Sequence, residues 1–236
     1  MTWSIIARDK DTGEFGIAVA TRFFAVGARV PFIASGLGAI ATQALVNPYY
    51  GIDGIKLLRE GRNAHDVLTA LLATDSGRES RQLHIMDAKS EIAAHTGSDC
   101  VDWSGHIAGS GFSIAGNMLA GAAVLDETAH AWLSNEKLPF PSRLIAALRA
   151  GQAAGGDKRG RQFAALLIHG EEAWSALDLR VDDHPDPLAE LERLEQKSRE
   201  LWVHFRELLP TRKDPAGTTD RAVIDARIEA AKTTKQ

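Results

Sequence analysis

The opening forty-odd residues hold four short apolar runs that scarcely alternate between apolar and polar positions. Residues 4–7, 15–20, 29–35 and 37–42 are rich in Ile, Val, Ala and Phe, and they are separated by an Asp11-Thr12-Gly13 turn signal and by Gly36. A strand with one wet face alternates, whereas a strand covered on both faces reads as a continuous apolar run. The fold must therefore cover both faces of its sheets. Hydrophobic spacing then turns helical, with Ile52, Ile55 and Leu58 in one segment and Val67, Leu68, Leu71 and Leu72 in the next. Asn63 stands where an N-cap belongs, three residues before Asp66. Strand-like runs return at residues 81–86 and 91–95, and a Gly-rich stretch spans 106–116. Two more helical segments follow, one through Val124, Leu125, Thr128, Trp132 and Leu133 and one from Ser142 to before Gly155. Residues 162–168 read as a buried strand.

Strands in blocks, helices in pairs, then strands again is an α+β order rather than the strict alternation of a doubly wound sheet. Two antiparallel sheets stacked face to face, each covered by a helix pair, satisfy it: a four-layer αββα sandwich spanning residues 1–185. From Pro187 the apolar residues Leu188, Leu191, Leu194, Leu201, Trp202, Phe205 and Leu208 recur among Glu, Arg and Lys. They predict one long amphipathic C-terminal helix over residues 188–208. Its Leu201, Trp202 and Phe205 face is expected to be buried, on the domain or across a homodimer interface. Residues 186–236 make a helical extension with a last helix near 222–231 and a polar tail.

At 236 residues and 44% hydrophobic, the chain has enough apolar material for one sizeable core. A net charge of −4 disfavours nucleic acid or an anionic membrane as the main partner. A lone cysteine, Cys100, forms no internal disulfide, and Arg8, Asp9 and Lys10 interrupt the first apolar run too early for a signal peptide. A cytoplasmic protein without a membrane span is expected.

The start, Met1-Thr2-Trp3-Ser4, places a hydroxyl one peptide bond from the terminus. Removal of Met1 gives Thr2 a free α-amine, whose pKa near neutrality suits it as general base for its own hydroxyl. Such a nucleophile needs neighbours that keep the amine unprotonated and donors that hold an oxyanion. Thr21 and Arg22 end the second strand, Arg29 follows, and Thr42-Gln43 ends the fourth, all near one rim. Asn117 closes the Gly-rich stretch, as an oxyanion donor or as a cap after a bulged strand.

Several segments carry a resemblance: residues 2–9, 27–30, Ala41-Thr42-Gln43-Ala44 with Asn47-Pro48, residues 151–162 and residues 178–187. Over roughly residues 1–190 the chain resembles the prokaryotic domain-of-unknown-function 1028 family, assigned to the N-terminal-nucleophile (Ntn) hydrolase-like, proteasome-type fold. The resemblance implies the αββα sandwich, and amide hydrolysis by Thr2. Proteasome-type members keep an Asp at the end of the second strand and a Lys on the third. Here the equivalent positions give Thr21-Arg22 and Arg29. The resemblance also points to Asp157 and Arg161, with Gln162, as substrate-anchoring or nucleophile-supporting residues.

The leading expectation is an Ntn amidohydrolase acting on a small amide or peptide-like substrate. Thr2, Asn117 and Arg29 are its catalytic candidates; Thr21, Thr42, Gln43, Asp157, Arg161 and Gln162 are its substrate-binding candidates, and no cofactor is required. Two alternatives stand beside it. One is a non-catalytic ligand-binding or interaction protein on the same fold, with the 157–162 loop as an anion site. The other is a metal-assisted hydrolase centred on Asp182 and His184, since carboxylate and imidazole suit divalent cations. His95 and His106 near strand ends are further general-base candidates.

Overall fold

The structure, a computed structural model, describes residues 2–233. Met1 and the polar end of the tail, residues 234–236, lie outside the described residues. The chain divides into two compact units, one ending at Leu191 and one starting at Glu192.

The first unit is the four-layer sandwich. Its larger sheet has six strands in the order β10-β9-β2-β1-β8-β7, and its smaller sheet four in the order β3-β4-β5-β6. The opening strands β1 (Thr2–Arg8) and β2 (Phe15–Thr21) form an antiparallel pair at the centre of the larger sheet. Their connection is built by Asp9, whose carboxylate accepts from the amides of Asp11 at 3.0 Å and Thr12 at 2.7 Å. Gly13 then takes a left-handed φ of 74°, which a side chain would resist. On the smaller sheet lie β3 (Pro31–Ala34), β4 (Gly38–Ala44), β5 (Arg81–Asp87) and β6 (Ile92–Thr96). The Gly-rich stretch resolves into a hairpin, β7 (Gly105–Gly109) and β8 (Phe112–Asn117), and β8 pairs with β1. The larger sheet is completed by β9 (Phe163–His169) and β10 (Ser175–Val181). The apolar-run criterion does not reveal β10, because an edge strand alternates: Asp178 and Arg180 face out.

Helices α1 (Pro48–Arg59) and α2 (Ala64–Ala73) cover the smaller sheet, and α3 (Ala123–Ser134) and α4 (Phe140–Ala153) cover the larger. Both early helices are capped by asparagine. Asn47 accepts from the Tyr49 amide at 3.1 Å with Pro48 at the first helical position, and Asn63 accepts from the Asp66 amide at 2.9 Å. Strand alternation then sorts the side chains. Ile6, Ile17, Val19, Ala39, Ala41 and Met86 fill the space between the sheets. Ile40, Leu83 and Ile85 point the other way, onto Ile55, Leu58, Val67 and Leu71 of α1 and α2. On the opposite outer layer α4 approaches β2 closely: a Cβ on Gly16 would stand 2.6 Å from Leu144 and 2.8 Å from Phe140.

The C-terminal region departs from the expected single long helix. The stretch instead forms α5 (Pro187–Ser198) and the short α6 (Trp202–Phe205), and the last helix is α7 (Arg221–Thr233). The cause is local. Ser198 donates its hydroxyl to the Glu195 carbonyl at 2.7 Å, and the Arg199 and Glu200 amides reach back only three residues, to Gln196 and Lys197. A serine bonding to the backbone, followed by a tightened 3₁₀-like turn, ends the helix. Leu201 then leaves helical geometry at φ −139° and is exposed, while Trp202 and Phe205 are half-buried.

Candidate active site

Thr2 begins the central strand of the larger sheet and faces Thr21 of β2 on one side and Asn117 of β8 on the other. Alternation puts Thr2, Ser4 and Ile6 on the face that looks at the smaller sheet. The Thr2 hydroxyl donates to Thr21 Oγ1 at 3.2 Å, and both side chains are buried. Thr2 also lines a cavity of about 370 Å³. Its other polar lining groups are Arg29, Gln43 and Arg81; Phe23, Val26 and Leu45 supply much of the apolar wall. The sequence therefore brings Thr2, Arg29 and Gln43 to one cavity, with Thr21 and Asn117 on the strands flanking the nucleophile candidate.

Behind Thr2 the space between the sheets holds a polar chain instead of hydrocarbon, and its directions can be worked out. Gln82 Nε2 donates to the carbonyls of Gly105 at 3.0 Å and Gly116 at 2.8 Å, which fixes its amide orientation. Gln82 Oε1 therefore accepts, from Gln43 Nε2 at 2.8 Å and Asn117 Nδ2 at 3.0 Å. Gln43 Oε1 in turn accepts from the Ser4 hydroxyl at 2.8 Å. With the Ser4 proton committed, His84 Nε2, 2.9 Å from Ser4 Oγ, must be the donor there. His84 Nδ1 then accepts from Ser113 Oγ at 3.0 Å. The imidazole is neutral with its proton on Nε2. Complete burial, with a smaller contribution from nearby His106, pushes its pKa down to about 3. Asn117 also donates to the Thr2 carbonyl at 3.4 Å, so the chain ends on the backbone of the candidate nucleophile.

The remaining sequence candidates have other placements. Asp157 is buried, and its carboxylate accepts from the Arg22 amide at 2.6 Å and the Arg159 amide at 2.8 Å, and pairs with the Arg159 guanidinium at 3.2 Å. It thus fixes the residue that follows Thr21. Arg161 pairs with Asp186 at 3.3 Å and Gln162 bonds Asp183 at 3.1 Å, and neither lines the cavity. Asp182 is held by Arg180 at 3.1 Å, and His184 Nδ1 accepts from the Asp186 amide at 3.1 Å. Among the described residues no group of three or more His, Cys, Asp or Glu side chains is placed to hold a metal. His95 bonds the Arg78 carbonyl and His106 bonds Thr96. Burial pushes the Cys100 thiol up, and its Sγ donates to the Arg81 carbonyl at 3.3 Å.

Thr42 shares the helix-facing side of β4 with Ile40, away from Gln43, and its buried hydroxyl has no hydrogen-bond partner among the described residues. Thr42→Val removes an unpaired polar group at constant shape. It should raise stability by about 1 kcal/mol, a few degrees in Tm by thermal denaturation.

Gln82, His84, Ser4 and Arg81 were not singled out by the sequence. The signal was present in the run Arg81-Gln82-Leu83-His84-Ile85-Met86, where polar residues recur every second position. In a strand covered on both faces, such a pattern marks a polar layer within the sandwich.

A family model for a family of unknown function, DUF1028, matches residues 2–191. A protein of that family from Silicibacter pomeroyi, SPO2555, has a crystal structure that superposes at a TM-score of 0.85 with 33% identity, covering 93% of this chain and 99% of that one. Anbu (ancestral beta-subunit) from Yersinia bercovieri aligns at a TM-score of 0.40 and 10% identity, covering 88% of this chain and 98% of that one. No curated protein matches the sequence. With most of its length matched by the family model, and with a 33% identical relative covered almost end to end, this chain belongs to the DUF1028 family.

Proposed function

We propose that the protein is an N-terminal-nucleophile amidohydrolase in which Thr2, freed by cleavage of the Met1–Thr2 bond, attacks a small amide. The observation that carries this reading is the Thr2 hydroxyl, hydrogen-bonded to Thr21 at the head of a central strand and lining a cavity. The α-amine takes the Oγ1 proton as Oγ1 bonds to the amide carbon. The tetrahedral intermediate expels the amine, which leaves with that proton, and water then hydrolyses the Thr2 ester and restores the hydroxyl. Arg29 and Arg81 remain protonated and cannot relay a proton, but their charge disfavours protonation of a nearby amine. Asn117 holds the Thr2 carbonyl, and Gln82 holds Asn117. A second reading, ligand binding without turnover, is favoured by one observation: among the described residues both cations lining the cavity are arginines, and no Lys-like proton carrier lines it.

Untagged protein expressed in its native host should be one methionine lighter than its encoded mass. Intact-mass spectrometry showing Met1 fully retained would leave the mechanism without its base and overturn it.

A further inference from the structure

We infer that the molecule bound at Thr2 carries a carboxylate beside an apolar side chain, and that Arg29 reads the carboxylate. The inference takes from the proposed hydrolysis only the position of the amide, at Thr2; the recognition rests on the cavity itself.

Among the described residues no acidic side chain lines the cavity, while two guanidinium groups do. Arg81 is already committed. Its Nε pairs with Asp75 at 3.1 Å and its Nη1 donates to the Leu45 carbonyl at 2.6 Å. Burial alone would push the Asp75 carboxyl up. Hydrogen bonds, among them those from Asn47 and the Gly77 amide, outweigh it and hold the pKa down to about 2, so the pair is ionised at neutral pH. Arg29 differs. It is exposed, and among the described residues its side chain makes no hydrogen bond or ion pair. It therefore leaves a charge with no internal counterion at the mouth of a cavity that holds a candidate nucleophile.

The apolar half of the cavity is equally unfinished. Phe23 is 58% and Leu45 64% exposed, large side chains left in water at the same mouth. A volume of about 370 Å³ is near the low end of the range, about 300–1,000 Å³, that ligand clefts occupy. That suits an acylated amino acid rather than a folded chain. A planar carboxylate meets the guanidinium fork with two parallel N–H···O bonds, and an adjacent apolar side chain covers Phe23 and Leu45. A phosphate dianion generally draws on more than one free cation, and Arg29 is the only cation lining the cavity that is uncommitted among the described residues.

The test is calorimetric titration of full-length Thr2→Ala protein, with any hydrolysis of each probe assayed alongside, with N-acetyl-L-leucine and N-acetyl-L-phenylalanine and with their neutral C-terminal amides. Inorganic phosphate serves as a fifth probe. Both carboxylates should bind about tenfold or more tightly than their amides and than phosphate, as expected for one charge-assisted hydrogen-bond pair. A further Arg29→Gln change should level that preference, and since Arg29 is exposed the variant should fold. Equal binding of acid and amide, phosphate binding as tight as the acids, a preference that survives Arg29→Gln, or binding by none of the five would each overturn the inference. Failure of the catalytic reading shows separately, as undiminished turnover in Thr2→Ala. The carboxylate preference can stand or fall independently of it.

Discussion

Replacing Thr2 by alanine should cut amide turnover by about a thousandfold or more, because no covalent intermediate can form without its hydroxyl. The fold should survive. The side chain is buried, and the substitution removes its 3.2 Å bond to Thr21, a hydrogen bond of about 1 kcal/mol. The strand pairings to Thr21 and Asn117 run through the backbone and are kept. For a domain of this size that loss lowers Tm by about 2–4 °C. Thr2→Ser keeps both hydroxyl and amine and should retain measurable turnover. The assay is hydrolysis of an N-acyl amino acid panel by the untagged protein, with melting temperatures measured alongside. Undiminished turnover in a well-folded Thr2→Ala protein would sink the nucleophile assignment and leave the αββα fold untouched. Loss of turnover together with unfolding would mean that Thr2 acts structurally.

The layers of this fold were legible because burial on both faces leaves a direct imprint, apolar runs without alternation, in β1, β2 and β4. Helical spacing and the Asn63 cap placed α2 for the same kind of reason: a local pattern has a local cause. What failed was non-local or masked. The leucine spacing through residues 188–208 continues across the break at Ser198, so periodicity alone could not see a serine turning its hydroxyl onto the Glu195 carbonyl. Thr2, Arg29 and Gln43 were brought together by strand ends meeting at one rim, which element order foretells. Thr42 went the other way because neighbouring residues on a strand face opposite sides, and a polar pair at a strand end says nothing about which member faces inward. The polar layer escaped notice because Gln82 and His84 sit inside a run that reads as a strand for other reasons. Their meaning comes only from partners up to 80 residues away in sequence.

That polar layer makes the protein sensitive to acid through His84. In the unfolded chain this imidazole titrates near 6.5, whereas in the fold it stays neutral until about pH 3. Between those values the unfolded state binds one more proton than the folded state. Stability is therefore fully present above about pH 6.5 and is lost as pH falls below it. The slope approaches about 1.4 kcal/mol per pH unit, so by pH 4 this single group should remove about 3 kcal/mol. The physical reason lies in the hydrogen-bond directions. A proton added at Nδ1 turns an acceptor facing Ser113 Oγ into a donor and places a full charge where burial is complete. His84→Gln offers a donor toward Ser4 and an acceptor toward Ser113 without a titrating site. It is expected to cost about 1 kcal/mol at pH 7 through imperfect geometry. Urea unfolding at pH 7, 6, 5 and 4 should then show the stabilities of the two proteins converging as pH drops and crossing near about pH 6, with the variant the more stable at pH 5 and 4. Parallel curves would mean that the acid sensitivity belongs to other groups and that His84 is protonated within the fold at ordinary acidity. Convergence and crossing would show that the imidazole next to Ser4 stays neutral in the fold and serves there as a structural hydrogen-bond donor.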